Sequence, residues 1–130
     1  MKKKPPSTEQ PVLRDIVLVG GGHSHAVVLR NFGMNPQPEV RLTLICADVH
    51  TPYSGMLPGY VAGHYTYDDV HIDLVRLALF AGARFINAEV TGILRDKREV
   101  ILRGRPSIRY YRLSINIGST PQWNQVPGAR

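Results

Sequence analysis

Cysteine is almost absent from this sequence: Cys46 stands alone among 130 residues. That excludes an internal disulfide, and it suits a reducing, cytoplasmic setting, which is the expected localisation. Long hydrophobic runs are missing as well. The most apolar later stretch, Ile72 to Ala83, is interrupted by Asp73 and Arg76 and is too short to cross a bilayer, so no transmembrane segment is expected. No secretory signal is expected either, because no continuous apolar stretch follows Lys2, Lys3 and Lys4 before Arg14 and Asp15. Those lysines supply half of the net charge of +6, which leaves the rest of the chain only mildly basic. Residues 1–14 therefore read as a disordered basic leader, a solvated terminus. No nucleic-acid partner is assigned to it, and peripheral contact with an anionic membrane stays open. At 43% hydrophobic and 20% charged, the remainder has the composition of one ordinary folded domain.

What is present is a series of strand-length and helix-length apolar patterns separated by glycine. Ile16 to Val19 is an apolar run of strand length that stops at Gly20, Gly21 and Gly22. His25 to Phe32 reads as a helix with Gly33 as its terminator, and Val40 to Cys46 returns to a β-rich pattern. Strand, helix and strand in this order predict a βαβ unit with parallel strands and a right-handed crossover. Asp48 to Gly63 carries Pro52, Gly55, Pro58 and Gly59, which predicts an ordered loop with at most one helical turn. A second helix is expected from about His71 to Ala81, capped by Asp68 or Asp69, with Ile72, Val75 and Leu79 on one face and Gly82 at its end. Arg84 to Asn87 reads as a third parallel strand. Glu89 to Leu94 and Glu99 to Leu102 flank a hairpin turn at Asp96 and Lys97, and Tyr110 to Ile117 reads as a last strand.

The chemistry concentrates at Gly20, Gly21 and Gly22. Only glycine lets a backbone turn this tightly between a strand and a helix and still leave room for a phosphate. The first turn of the following helix adds unpaired N–H groups and the positive end of the peptide dipole. Together they predict a dinucleotide site; the plain alternative is a merely tight turn. His25 stands where a third glycine usually lets helix and sheet pack closely, so it is expected to push the helix outward or to swing its ring away from the strand. Cys46 stands where an acid commonly holds ribose hydroxyls, and Asp48 is the nearest substitute. His23, His25, His50, His64 and His71 raise the question of a metal, but no cysteine or acidic cluster joins them, and no metal is assigned. One ring of His23 and His25 is expected beside the phosphates, with a solvent-facing histidine as the alternative.

The run Asp15 to Gly22 and the run Tyr111 to Pro121 resemble the FAD/NAD(P)-binding pyridine nucleotide-disulfide oxidoreductase superfamily, and within it the NADH dehydrogenase-like group. His23, Ser24 and His25 together with Thr51-Pro-Tyr-Ser-Gly-Met-Leu-Pro-Gly59 resemble most closely the module found fused to selenide, water dikinase. The resemblance implies an α/β fold of the three-layer, Rossmann-like FAD/NAD(P)-binding kind, a parallel sheet with a small β-meander, incomplete at the C-terminus. Residues 15–130 would be the N-terminal part of that domain, as a fragment, a truncated product or the front of a fusion. It implies FAD as cofactor and NAD(P)H as electron donor, with small-molecule partners only. The FAD pyrophosphate would meet Gly20, Gly21 and Gly22, beside His23, Ser24 and His25. The adenosine ribose would face Cys46, Ala47 and Asp48, and the adenine would border the backbone of Val90. Gly118 and Ser119 would close over the cofactor, while Ser54, Gly55 and Met56 would shape the floor beneath the flavin, where Tyr53 and Met56 also read as simple packing residues. Relatives that reduce disulfides keep two cysteines in that loop; this chain has none there, which points to hydride passing from a nicotinamide to flavin and on to a quinone-like or other acceptor. A non-catalytic nucleotide-binding remnant, or an interaction module, is the alternative.

Overall fold

Buried strands flanked by helices on one side and strands on the other need apolar residues on both faces, and the first strands have them. In the computed structural model, which describes residues 14–117, 125, 127 and 128, β1 (Arg14–Val19) and β2 (Val40–Cys46) pair in parallel, joined by helix α1 (His23–Met34). Strands β5 (Arg84–Asn87) and β9 (Arg112–Ile115) complete a parallel sheet of order β5-β2-β1-β9. Residues alternate across it. Leu18, Leu42, Leu44 and Cys46 pack with Leu29 of α1 and with Leu74, the first residue of helix α4 (Leu74–Ala81). On the other face Val17, Val19, Ile45 and Ile86 pack with Val100 and Leu102 of an antiparallel meander, β6 (Val90–Leu94), β7 (Glu99–Leu102) and β8 (Arg105–Arg109). The architecture is thus helices, parallel sheet and meander in three layers, a Rossmann-like α/β fold.

Between β2 and β5 the chain departs from its expected form. The loop from Asp48 to Gly63 contains a short strand β3 (His50–Pro52), a 3₁₀ turn at Ser54–Met56 and helix α2 (Leu57–Val61). The single helix expected from His71 is instead a one-turn helix α3 (Tyr67–Val70), a strand β4 (His71–Asp73) antiparallel to β3, and α4. Thr66 caps α3 through a capping box with Asp69, so Asp69 serves α3, and Asp73 caps α4 by accepting from the Arg76 N–H. Starting α4 at Leu74 rotates its buried face. Leu74 and Ala78 point inward, whereas Val75 and Leu79, expected in the core, face solvent, Leu79 with 75% of its surface exposed.

Two further expectations are corrected. Gly33 does not end α1, which runs through it to Met34; it lies where a side chain would overlap the ring of Phe80, so its smallness lets α1 and α4 approach. Gly82 does end α4, in the left-handed conformation at φ +66. The last strand is shorter than the run from Tyr110 to Ile117, and β8 was not expected. Arg14, counted with the leader, is the first residue of β1. Residues 1–13 lie outside the described residues. Among the described residues no helix is long and apolar enough to cross a membrane.

Candidate functional site

The carboxyl ends of β1, β2 and β9 open onto one cleft of about 1370 Å³. Ligand pockets commonly measure roughly 300–1,000 Å³, so this open cleft has room for an extended ligand. It is lined by Gly20, Gly21, Gly22 and His23 and, directly beside them, by Ile115, Asn116 and Ile117. Cys46, Ala47 and Asp48 lie at the end of β2, and Ala88, Glu89 and Val90 follow β5. The strand order reverses between β1 and β9, and an open α/β sheet offers its ligand crevice at such a switch point.

The glycine corner is tight for internal reasons. Gly20 has φ +97, and a Cβ there would come within 2.3 Å of the Asn116 backbone oxygen; at Gly21 it would meet Leu74 and Cys46. The Gly20 N–H donates to Ile45 O at 2.8 Å and the Gly22 N–H to Asn116 O at 3.0 Å. His25 and Ala26 donate to Gly22 O. Among the described residues these bonds leave the N–H groups of His23 and Ser24 at the start of α1 without a partner and the Gly21 N–H facing only the Cys46 sulfur, and the N-cap, Gly22, makes no side-chain cap.

The two histidines divide the roles proposed for them. His23 lines the cleft with its ring 4.8 Å from that of Tyr53, and its Nε2 is buried without a partner among the described residues. His25 neither swings away from the strand nor faces solvent. It is buried, with Nδ1 2.7 Å from Gly20 O and Nε2 2.8 Å from Ser114 Oγ, bridging the end of β1 to β9. Its ring is absent from the cleft wall, as is the exposed Ser24 side chain.

Gly55 lines the cleft and Met56, half-buried, does not; Ser54 opens the 3₁₀ turn. Tyr53 lines the cleft while about half exposed, its ring tilted against that of His23 rather than packed in a core. Gly118 and Ser119 lie outside the described residues. Thr51 and Asn116 fall in the runs that carry the resemblance but were given no role: Thr51 Oγ1 donates to Gly21 O at 2.6 Å, and Asn116 closes the corner from β9. Glu89 and Ile93 also line the cleft without having been singled out. His71 stacks on Tyr67, with Nδ1 2.7 Å from the Tyr67 carbonyl oxygen, and among the described residues no group of three or more His, Cys, Asp or Glu is placed to hold a metal.

Cys46 sits at the cleft end of β2. Burial pushes its thiol above the ordinary range and the Asp48 carboxylate adds to the push, while N–H groups of Asp48 and Gly21 partly offset them. The folded thiol holds its proton to higher pH than the unfolded one, so stability falls as pH rises past the ordinary thiol range. Iodoacetamide should accordingly label Cys46 much more slowly in the native protein than in urea at pH 8. Equal rates in the two states would contradict this environment.

No family model and no curated protein matches the chain. Solved structures do. The sulfide:quinone oxidoreductase of the hyperthermophilic bacterium Aquifex aeolicus shares the fold at 24% identity and a TM-score of 0.68, over 82% of this chain and 25% of that one. A chain of the covalent putidaredoxin reductase–putidaredoxin complex matches at 26% identity and 0.68, over 84% and 27%. NDH2 from Plasmodium falciparum in complex with NADH matches at 17% identity and 0.69, over 85% and 24%. The chain therefore spans about a quarter of the length of these structures.

Proposed function

We propose that this chain forms the first, dinucleotide-holding part of a flavin-dependent NAD(P)H oxidoreductase, with FAD in the cleft between β1 and β9. The observation that carries the proposal is the cleft at the strand-order reversal, lined by Gly20, Gly21, Gly22 and His23, where the His23 N–H and the His23 ring Nε2 have no partner among the described residues and the Gly21 N–H meets only the weak Cys46 sulfur. A pyrophosphate supplies the acceptors these donors lack. Asp48 is the carboxylate within reach of ribose hydroxyls at the end of β2, with Cys46 and Ala47 beside it, and Val90 offers its backbone to the adenine. By the resemblance, Gly118 and Ser119, outside the described residues, would close over the cofactor. Bound there, FAD would supply a two-electron carrier for hydride from NAD(P)H and for a quinone-like or other acceptor. The residues of this chain bind and orient; none is assigned a catalytic step.

The fold neighbours support this reading in kind, since two of them are by name a sulfide:quinone oxidoreductase and an NDH2 holding NADH. The finer likeness of Thr51 to Gly59 to the module fused to selenide, water dikinase rests on that motif alone, and any kinase chemistry would lie outside these residues. Reconstitution with FAD tests the proposal. The expected result is yellow protein after gel filtration, with flavin absorbance in stoichiometric amount; bleaching by NADH would place the electron step within this chain, and its absence would place that step in further polypeptide. Colourless protein after reconstitution would overturn the proposal and favour a remnant or an interaction module.

A further inference from the structure

The position that usually carries a third glycine carries instead a buried histidine whose two ring nitrogens are both engaged. A carbonyl oxygen only accepts, so the 2.7 Å contact with Gly20 O requires the hydrogen on His25 Nδ1. In the neutral ring Nε2 is then an acceptor, and the Ser114 hydroxyl at 2.8 Å donates to it. One tautomer and one ring orientation satisfy both partners.

The peptide joining Gly20 to Gly21 is trans, so its carbonyl and its N–H point in opposite directions. With the Gly20 oxygen held by the ring inside the fold, the Gly21 N–H is turned away from that ring, toward the Cys46 side of the cleft. Thr51 fixes the next peptide in the same way, its hydroxyl on Gly21 O at 2.6 Å, and the Gly22 N–H of that peptide is spent on Asn116. Of the N–H groups of these three glycines, the one not spent on a carbonyl is the one His25 orients; its only partner among the described residues is the Cys46 sulfur, a weak acceptor beside an anion. A glycine flanked by glycines has little else to hold its peptide plane.

We infer that His25 is a positioning residue, which through its bond to the Gly20 carbonyl turns the Gly21 N–H toward an anionic linker in the cleft. The inference rests on the nucleotide reading above. Hydrogen bonding thus does here what close glycine packing does elsewhere, and it ties the orienting ring to β9 through Ser114, so that the glycine turn and β9 share one strut. Preorganising a donor in this way lowers the ordering cost of binding.

Asparagine and glutamine separate the two bonds. The Asn amide nitrogen falls near the place of Nδ1 and retains the bond to Gly20; the Gln amide falls near Nε2 and retains only Ser114. With ADP as the probe, followed by calorimetry, His25→Gln should weaken binding about five- to tenfold, and His25→Asn should hold it within about twofold, the effect of one hydrogen bond kept or lost. The Gly21 amide resonance should shift on adding ADP to the wild type and to His25→Asn, and much less in His25→Gln. Should the variants not fold, nitrogen NMR of the unmodified protein still decides: His25 must show a protonated Nδ1, protected from exchange, and a bare Nε2. The reverse tautomer overturns the inference, as does equal ADP affinity in both variants. No ADP or FAD binding by the wild type would instead overturn the nucleotide reading itself.

Discussion

Replacing Gly20 by alanine should cost the fold about 3–5 kcal/mol, combining a strained positive φ with an overlap that only backbone can relieve. The new Cβ would stand 2.3 Å from the Asn116 oxygen and 2.7 Å from the Ile117 Cα, and neither atom lies on a flexible side chain. Out of a total of about 5–15 kcal/mol this is a large share. Urea unfolding gives the readout: the midpoint should fall sharply at unchanged slope. Gly104→Ala is the control, because it has φ +67 with nothing within 4 Å, and it should cost only about 1–2 kcal/mol. Similar costs at the two positions would show that the corner yields easily. The comparison also bears on function. Loss of cofactor in a Gly20 variant would report a broken corner, so His23→Ala, which removes a ring nitrogen without a partner among the described residues and leaves the turn alone, is the cleaner probe of the proposed pyrophosphate contact.

Asp15→Ala should be the other strongly destabilising change, at about 2–4 kcal/mol, because it removes the acceptor from a set of donors that cannot all turn to water. Asp15 is buried at the opposite end of β1 from the cleft. It accepts from Arg41 at 2.7 and 3.2 Å, from the fully buried Thr43 hydroxyl at 3.0 Å and from Arg84 at 3.4 Å. The arginines are more than two-fifths exposed, which screens their share and leaves Thr43 as the group most harmed. Thermal unfolding of Asp15→Ala and Arg41→Ala separates the contributions: the first midpoint should drop several degrees and the second much less. An unchanged midpoint for Asp15→Ala would mean the network contributes nothing net. If the cleft holds FAD as proposed, its retention, measured on the same samples below the transition, should persist in both, since the network lies away from the cleft.

The parts of the fold visible in the sequence were those fixed by local pattern. Ile16 to Val19 and Leu44 to Cys46 are continuous apolar runs because a parallel strand here is covered on both faces, and the glycines mark where the first of them turns. From Ile72 to Ala81 the sequence is apolar around most of a helix, so periodicity could not choose a face, and the start of α4 settled it. That start depends on β3 pairing with β4 and on the Leu74 N–H reaching Val49 O, contacts between segments some twenty residues apart that leave no mark in either segment alone. The site divides likewise. Gly20, Gly21 and Gly22 announced themselves, whereas Thr51, Asn116 and the clamp on His25 arise only when β9 and the β3 segment are brought against the turn.

Two parts of the cleft lining come from nearly opposite ends of the described chain, Gly20 to His23 early and Ile115 to Ile117 late. Until the final strand docks beside the first, there is no crevice, only half of one, and that docking closes a long loop late and slowly. A molecule held across the gap would therefore act as a clasp on β9, bonding only to the finished sheet and drawing the population toward it. If the cleft takes FAD as proposed, FAD in the refolding buffer should raise the yield of folded protein.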